Sequence, residues 1–280
     1  MTKFAAWCRL STLTSPAYEP LSVGRVSPPR PAILQIEGLT KEYPGGRRAL
    51  DNVSLSVAPG EMMVVLGPNG SGKSTMLRCA VRLIEPTGGS VRVGGHDLAR
   101  LNGNELREAR RQVGMIFQQA NLVKRRTALA NVASGSLGRH HGLLTAFGWL
   151  PHAELLEAAK LLDRLGLVHL ALKRADTLSG GEAQRVAIGR ALAQHPRVLL
   201  ADEPVASLDP EAAEDVLRLL VELATDEDLG VVCVLHQPDL ALRHAHRIVG
   251  LRDGRLAFDA PASELDPSDL SALYRGEENA

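Results

Sequence analysis

Residues 62–75 read MMVVLGPNGSGKST, and the rest of the chain is organised around what this stretch needs. Five continuous apolar residues predict a buried strand. Glycines then interrupt, and helical apolar spacing follows over 73–84. Gly67-Pro68-Asn69-Gly70-Ser71-Gly72-Lys73-Ser74 fills the pattern G-x-x-x-x-G-K-[ST] at every fixed position. Between a strand and a helix, that pattern is a phosphate cradle. Backbone N–H groups at Gly70, Gly72, Lys73 and Ser74 can surround a β-phosphate, and the helix N-terminus adds positive potential. In this reading Lys73 bridges the β- and γ-phosphates, the Ser74 hydroxyl is a Mg²⁺ ligand, and Thr75 touches the α-phosphate.

Such a cradle requires a metal-holding acid and a base for water. VLLADE, residues 198–203, supplies both. An apolar strand ends in Asp202, placed to hold Mg²⁺ through water. Glu203, one residue further, is placed to orient and deprotonate the attacking water as general base. A second turn suited to phosphate lies far from the first: LSGGEAQ, residues 178–184, sets two glycines behind a serine at a helix start.

Composition narrows the classes of function. The chain has 280 residues, 45% hydrophobic, enough for one core or one core plus a small subdomain. Net charge is zero and aromatics are 3%, which argues against nucleic acid as a partner. No apolar run approaches the roughly 20 residues of a spanning helix. Cys8, Cys79 and Cys233 have no metal-like spacing and read as small hydrophobes in a reducing compartment. Residues 1–31 are rich in Ser and Pro and read as a disordered tail or an over-long start, with a membrane-touching arm as the alternative.

From residue 32 to 280 the text reads as one α/β unit. Strands are predicted at 33–36, 53–57, 62–66, 90–93, 113–117, 197–202 and 231–236. The pattern turns helical between about 119 and 195, most clearly at 152–165 and 181–194. Asp253-Gly254 divides 247–259 into a hairpin, and 263–275 reads as one or two short helices.

Taken with LSGGE, these motifs resemble the nucleotide-binding subunit of an ATP-binding-cassette (ABC) transporter, over about 33–275. The resemblance implies a P-loop NTPase fold: a RecA-like core, an antiparallel β-subdomain and a helical subdomain. It implies that Tyr43 stacks on adenine. Gln118, in MIFQQ, corresponds to the glutamine that senses Mg²⁺ and water and links to the membrane partner. Ser179, Gly180, Gly181 and Glu182 form the signature turn, Ser207-Leu208-Asp209 the D-loop, and His236 the switch contacting the γ-phosphate. Glutamine is commoner than glutamate at the position of Glu182. The other eight histidines read as surface or helical filler. In this family two cassettes pack head to tail, so each signature turn serves the ATP on the other chain's P-loop.

The stretches FQQANLVKRRTALANVASGSLGRHHGLLTAFGWL, ADEPVASLDP and HQPDLALRHAHRIVGLRDGRLAFDAP resemble phosphonate-import ATP-binding subunits. That implies a homodimer peripheral to the cytoplasmic face of the inner membrane. Its partners are permease subunits and, indirectly, a periplasmic phosphonate-binding protein. Polar amino-acid importers, lipoprotein exporters and, more distantly, ABC ATPases acting on ribosomes or DNA are the alternatives. Lys124, Arg125 and Arg126 read either as a solvated loop or as a contact with the permease or lipid headgroups.

Overall fold

Strands with no polar alternation must be buried on both faces. The computed structural model describes residues 31–140 and 150–274. Cys8, His141 and all but the last residue of the 1–31 tail lie outside the described residues. Among the described residues, ten strands form two sheets: β1 (Leu34–Glu42), β2 (Arg48–Val57), β3 (Met62–Leu66), β4 (Gly88–Val93), β5 (His96–Asp97), β6 (Val113–Ile116), β7 (Val198–Asp202), β8 (Gly230–Val234), β9 (Arg247–Arg252) and β10 (Arg255–Pro261). The first sheet is antiparallel, ordered β2-β1-β4-β5. The second runs β10-β9-β3-β8-β7-β6 and is parallel except at its β10 edge.

Alternation along β3 divides the interior in two. Met63 and Val65 face a core shared with Leu34, Ile36, Val53 and Val91 of the antiparallel sheet. Helix α1 (Lys73–Ala80) adds Met76 and Leu77 to that core. Met62, Val64 and Leu66 point the other way, toward α6 (Pro210–Glu227), whose Val216, Leu217, Leu220 and Leu223 form the apolar stripe. β3 thus lies between both cores with β8 and β9 beside it, so the loop leaving its end is anchored on every side. Each fully buried Val or Leu contributes about 1.5–3 kcal/mol relative to exposure. Cys79 and Cys233 are both fully buried in these layers, and burial pushes the Cys79 thiol up to about 11.

The helical layer comprises α3 (Ala128–Ala133), α4 (His152–Arg164) and α5 (Gly180–Leu192). Thr127 caps α3, its Oγ1 accepting from Ala130 N at 3.1 Å. Buried Asn131 accepts from Val123 N at 2.7 Å and donates to Thr127 O at 3.0 Å, pinning the loop before α3. Lys124, Arg125 and Arg126 are exposed on that loop.

Several elements differ from the sequence reading, each for a local reason. Helix begins at Ala128 rather than near 119, because 117–127 is a loop held from outside by side chains of α3 and α5. Helix α1 ends at Ala80, not 84: Arg82 adopts φ 51° and donates to Leu98 O and Leu101 O at 2.6 and 2.7 Å. β1 continues to Glu42, its pairing register shifting between Ile36 and Leu39 around Gly38. Helix α2 (Gly103–Arg111) buries only Ala109, so it carries no apolar periodicity to read. The short α7 (Pro238–His244) and α8 (Pro267–Tyr274) are the last two α-helices among the described residues. The 253–254 hairpin forms as expected, with φ 49° at Asp253 and 76° at Gly254.

Candidate functional site

The loop from Gly67 to Gly72 leaves β3 and is closed by its own backbone. Ser71 N donates to Pro68 O at 3.3 Å, and Gly254 N, from the β9–β10 turn, donates to Ser71 O at 3.0 Å. Gly72 caps α1 at φ 106°, a conformation that L side chains avoid. A Cβ there would lie 2.4 Å from Ala49 O, so the position is closed sterically as well. The buried Lys73 ammonium donates to Gly67 O at 2.7 Å and Pro68 O at 2.9 Å, which holds it over the loop.

The Ser74 hydroxyl donates to Asp202 Oδ1 at 2.7 Å. Asp202, 5% exposed at the end of β7, has its other oxygen 3.7 Å from Arg78. Hydroxyl and carboxylate oxygens converging beside a phosphate loop are the hard donors that suit Mg²⁺. The residues present fit that ion and a triphosphate.

Glu203 follows at φ 53°, a left-handed backbone conformation that ends the strand. Its Oε1 lies 2.5 Å from Nε2 of His236, just past β8. Chain positions 203 and 236 therefore meet because β7 and β8 are parallel neighbours ending at the same edge of the sheet. Tyr43 sits in a tight turn, Gly46 N donating to its carbonyl at 3.2 Å, with the Lys41 ammonium 5.1 Å from the ring centroid.

The signature turn is built differently. Ser179 caps α5 and accepts from Glu182 N at 3.3 Å, while Glu182 Oε2 accepts from Ser179 N at 2.7 Å: a capping box. The Ser179 amide holds the Glu182 carboxyl below its usual range, against the opposing effect of burial, with Lys173 3.6 Å away also favouring the anion. Glu182 therefore has a local task, closing the helix end. The S-x-x-E spacing was the sequence signal for it. Asp209 caps α6, accepting from Ala212 N at 2.9 Å. Leu208 and Ala212 pack so closely on the turn that a Cβ on Gly180 or Gly181 would lie 3.1 or 3.0 Å from them. Ser207 and Gln118 are exposed.

The structure brings Lys73, Ser74 and Asp202 into one group, Glu203 and His236 into a second, and the signature turn and D-loop into a third. Sequence reasoning missed Arg78, whose i,i+4 spacing from Ser74 was legible, and Tyr274, whose hydroxyl accepts from Gly67 N at 3.3 Å. It also took four histidines for filler that have defined partners. His140 meets Glu154 at 2.8 Å, His244 meets Glu214 at 2.5 Å, and His195 pairs with Glu157. His246 Nδ1 accepts from Met62 N at 2.9 Å.

Comparison with known proteins is consistent across three kinds of match. A family model described as ABC transporter matches residues 50–206. The phosphonates import ATP-binding protein of Synechococcus sp. (strain JA-2-3B'a(2-13)) is 50% identical over 247 residues, covering 88% of this chain and 91% of that protein. The protein of the same description from Rhodopseudomonas palustris (strain HaA2) is 49% identical, covering 88% of each. Among solved structures, a nucleotide-free ATP-binding cassette from an ABC transporter has TM-score 0.77 and 29% identity, covering 88% of this chain and all of that one. A dimeric cassette in a post-hydrolysis state, bound to ADP and Pi, has TM-score 0.71 and 35% identity, covering 82% and 98%.

Proposed function

The chain belongs to the ABC transporter family, and from that premise we propose that it is the ATP-hydrolysing subunit of an importer for phosphonates or related phosphorus oxyanions. The observation that carries the chemistry is the Ser74–Asp202 contact beside the Glu203–His236 contact, at the mouth of the phosphate loop. The cargo is inferred from full-length relatives described as phosphonates import ATP-binding proteins.

In this reading the loop amides and Lys73 hold the phosphates of ATP, and Tyr43 stacks on the adenine. Ser74 and Asp202, with Gln118, would hold Mg²⁺, which would neutralise phosphate charge when bound. Glu203 orients a water on the γ-phosphorus and takes its proton as the new P–O bond forms. The bond to the bridging oxygen breaks and ADP leaves with the electron pair. His236, engaged with Glu203 in this state, turns to the γ-phosphate when nucleotide is present. Ser179, Gly180 and Gly181 complete the site of a second copy packed head to tail, with Ser207-Leu208-Asp209 lining the contact. ATP thus favours the closed dimer, and hydrolysis releases it. The pair works on membrane permease subunits at the cytoplasmic face of the inner membrane, served by a periplasmic phosphonate-binding protein. Among the described residues, no helix is long and apolar enough to cross a membrane.

The test is growth on a phosphonate as sole phosphorus source. A deletion strain should fail there, recover with the intact gene, and not recover with Glu203→Gln. Normal growth of the deletion strain, in a background without a second uptake system, would assign another cargo.

A further inference from the structure

Three main-chain carbonyls in the segment leaving β6 are held by one helix. Gln184 Nε2 donates to Phe117 O at 3.2 Å. Arg190 donates to Ala120 O at 2.8 Å and to Asn121 O at 2.7 Å. Both donors belong to α5, and the carbonyls they hold bracket Gln118 and Gln119, whose side chains are exposed. Asn121 stands at φ 48°, the left-handed conformation that asparagine tolerates, and so turns the segment where Arg190 holds it.

These donors are not simple packing residues. Gln184 is 3% exposed and Arg190 is half-buried. Burying an amide and a guanidinium is unfavourable unless their donors are met. An aliphatic residue at either position would fill the space without that requirement. What Gln184 and Arg190 add is a fixed position for one loop. The helix that carries them begins at the signature turn and spans thirteen residues, roughly 20 Å of stiff rod.

We propose that Gln184 and Arg190 are positioning residues for Gln118. They clasp segment 117–121 to α5, so that Gln118 and the Ser179 turn move as one body when ATP binds. This rests on the functional reading above and deepens it: the loop that meets the metal site and the permease is mechanically joined to the turn that completes the partner's site.

The test uses the full chain with Cys8→Ser, Gln119→Cys and Leu172→Cys, spin-labelled at both new cysteines. Leu172 is 80% exposed on the helical layer, and Leu129 N donates to the neighbouring Ala171 O at 2.9 Å. In a Glu203→Gln background the label distance should be narrow and unchanged by ATP and Mg²⁺. Arg190→Met should broaden it and make it shift with ATP, and Arg190→Lys should restore it in part. With Glu203 intact, Arg190→Met should lower kcat per folded site about tenfold and leave KM for ATP within about twofold, as expected for a lost coupling. A general packing defect would not give that split or the rescue by Lys. A parent-like distance together with a parent-like kcat in Arg190→Met would overturn the clasp. If Arg190→Met does not fold, Gln184→Met and Arg190→Lys are compared by the same two readouts. A parent that binds ATP without hydrolysing it would count against the functional reading, while the distances would still decide the clasp.

Discussion

The chain has two turns suited to phosphate, and they are finished in opposite ways. The P-loop is locked by its own chain. Lys73 is buried over it, Gly254 and Tyr274 hydrogen-bond to it, and the backbone of Ala49 leaves no room for a Cβ at Gly72. The signature turn is closed by the Ser179–Glu182 box and backed by Leu208 and Ala212 on one side, and it leaves Ser179 and Gly180 exposed on the other. Both turns lie at helix N-termini, where the helix dipole favours an anion. One is held in shape by groups of its own chain. The other is an exposed edge, and that difference accords with the proposal, drawn from the family resemblance, that one chain supplies half of two sites.

The sharpest way to break this contrast is to disable each turn separately. Lys73→Ala should abolish ATP binding by the isolated chain, a loss of about a hundredfold or more in Kd for removing a buried charge paired with phosphate. Ser179→Arg should leave that Kd within about threefold, because the turn is not part of its own chain's pocket, while turnover falls to background. Equal losses of nucleotide affinity in a titration of both variants would erase the distinction.

A second comparison separates stability from function. Gly72→Ala forces a strained φ and a backbone clash, and should lower unfolding free energy by about 2–4 kcal/mol in chemical denaturation. Gly181→Ala has ordinary helical geometry and meets only the Ala212 methyl, so it should cost under about 1 kcal/mol. Its effect belongs in turnover. If Gly181→Ala proves the less stable of the two, the signature turn is a packing element first.

The smallest effect concerns the box itself. Glu182→Ala should cost about 1 kcal/mol at neutral pH, as for loss of a helix cap. The folded-state pKa of Glu182 lies below its unfolded value, so its contribution is present above the carboxylate range and lost as pH falls through the lowered value. Melting temperatures of parent and variant should therefore converge in acid. A gap that widens toward low pH would contradict the assignment.

What the sequence made legible was whatever depends on neighbours in the chain. β3 and the P-loop, the strand ending at Asp202, and the Asp253-Gly254 hairpin all follow from short local patterns, and they carry most of the fold. The meeting of Glu203 with His236 was inferable only through the family resemblance, since it depends on β7 and β8 lying side by side. The capping role of Glu182 was present as a spacing but hidden by attention to its departure from glutamine. Arg190 and Gln184 were not legible, because their partners are main-chain carbonyls, which have no residue type to recognise. Helix α2 was hard to read for a related reason: it buries only Ala109, with Leu106 partly covered, and Arg110 fastens it to the carbonyls of Val81 and Arg82.

The most direct test of a shared site is the solution mass of the Glu203→Gln chain. With ATP and Mg²⁺ it should double, because nucleotide that is bound but not hydrolysed keeps each P-loop closed against the partner's signature turn. Adding Ser179→Arg should return it to the mass of one chain with ATP still bound. A Glu203→Gln chain that binds ATP and stays monomeric would show that the exposed signature turn does not complete the site of a second copy.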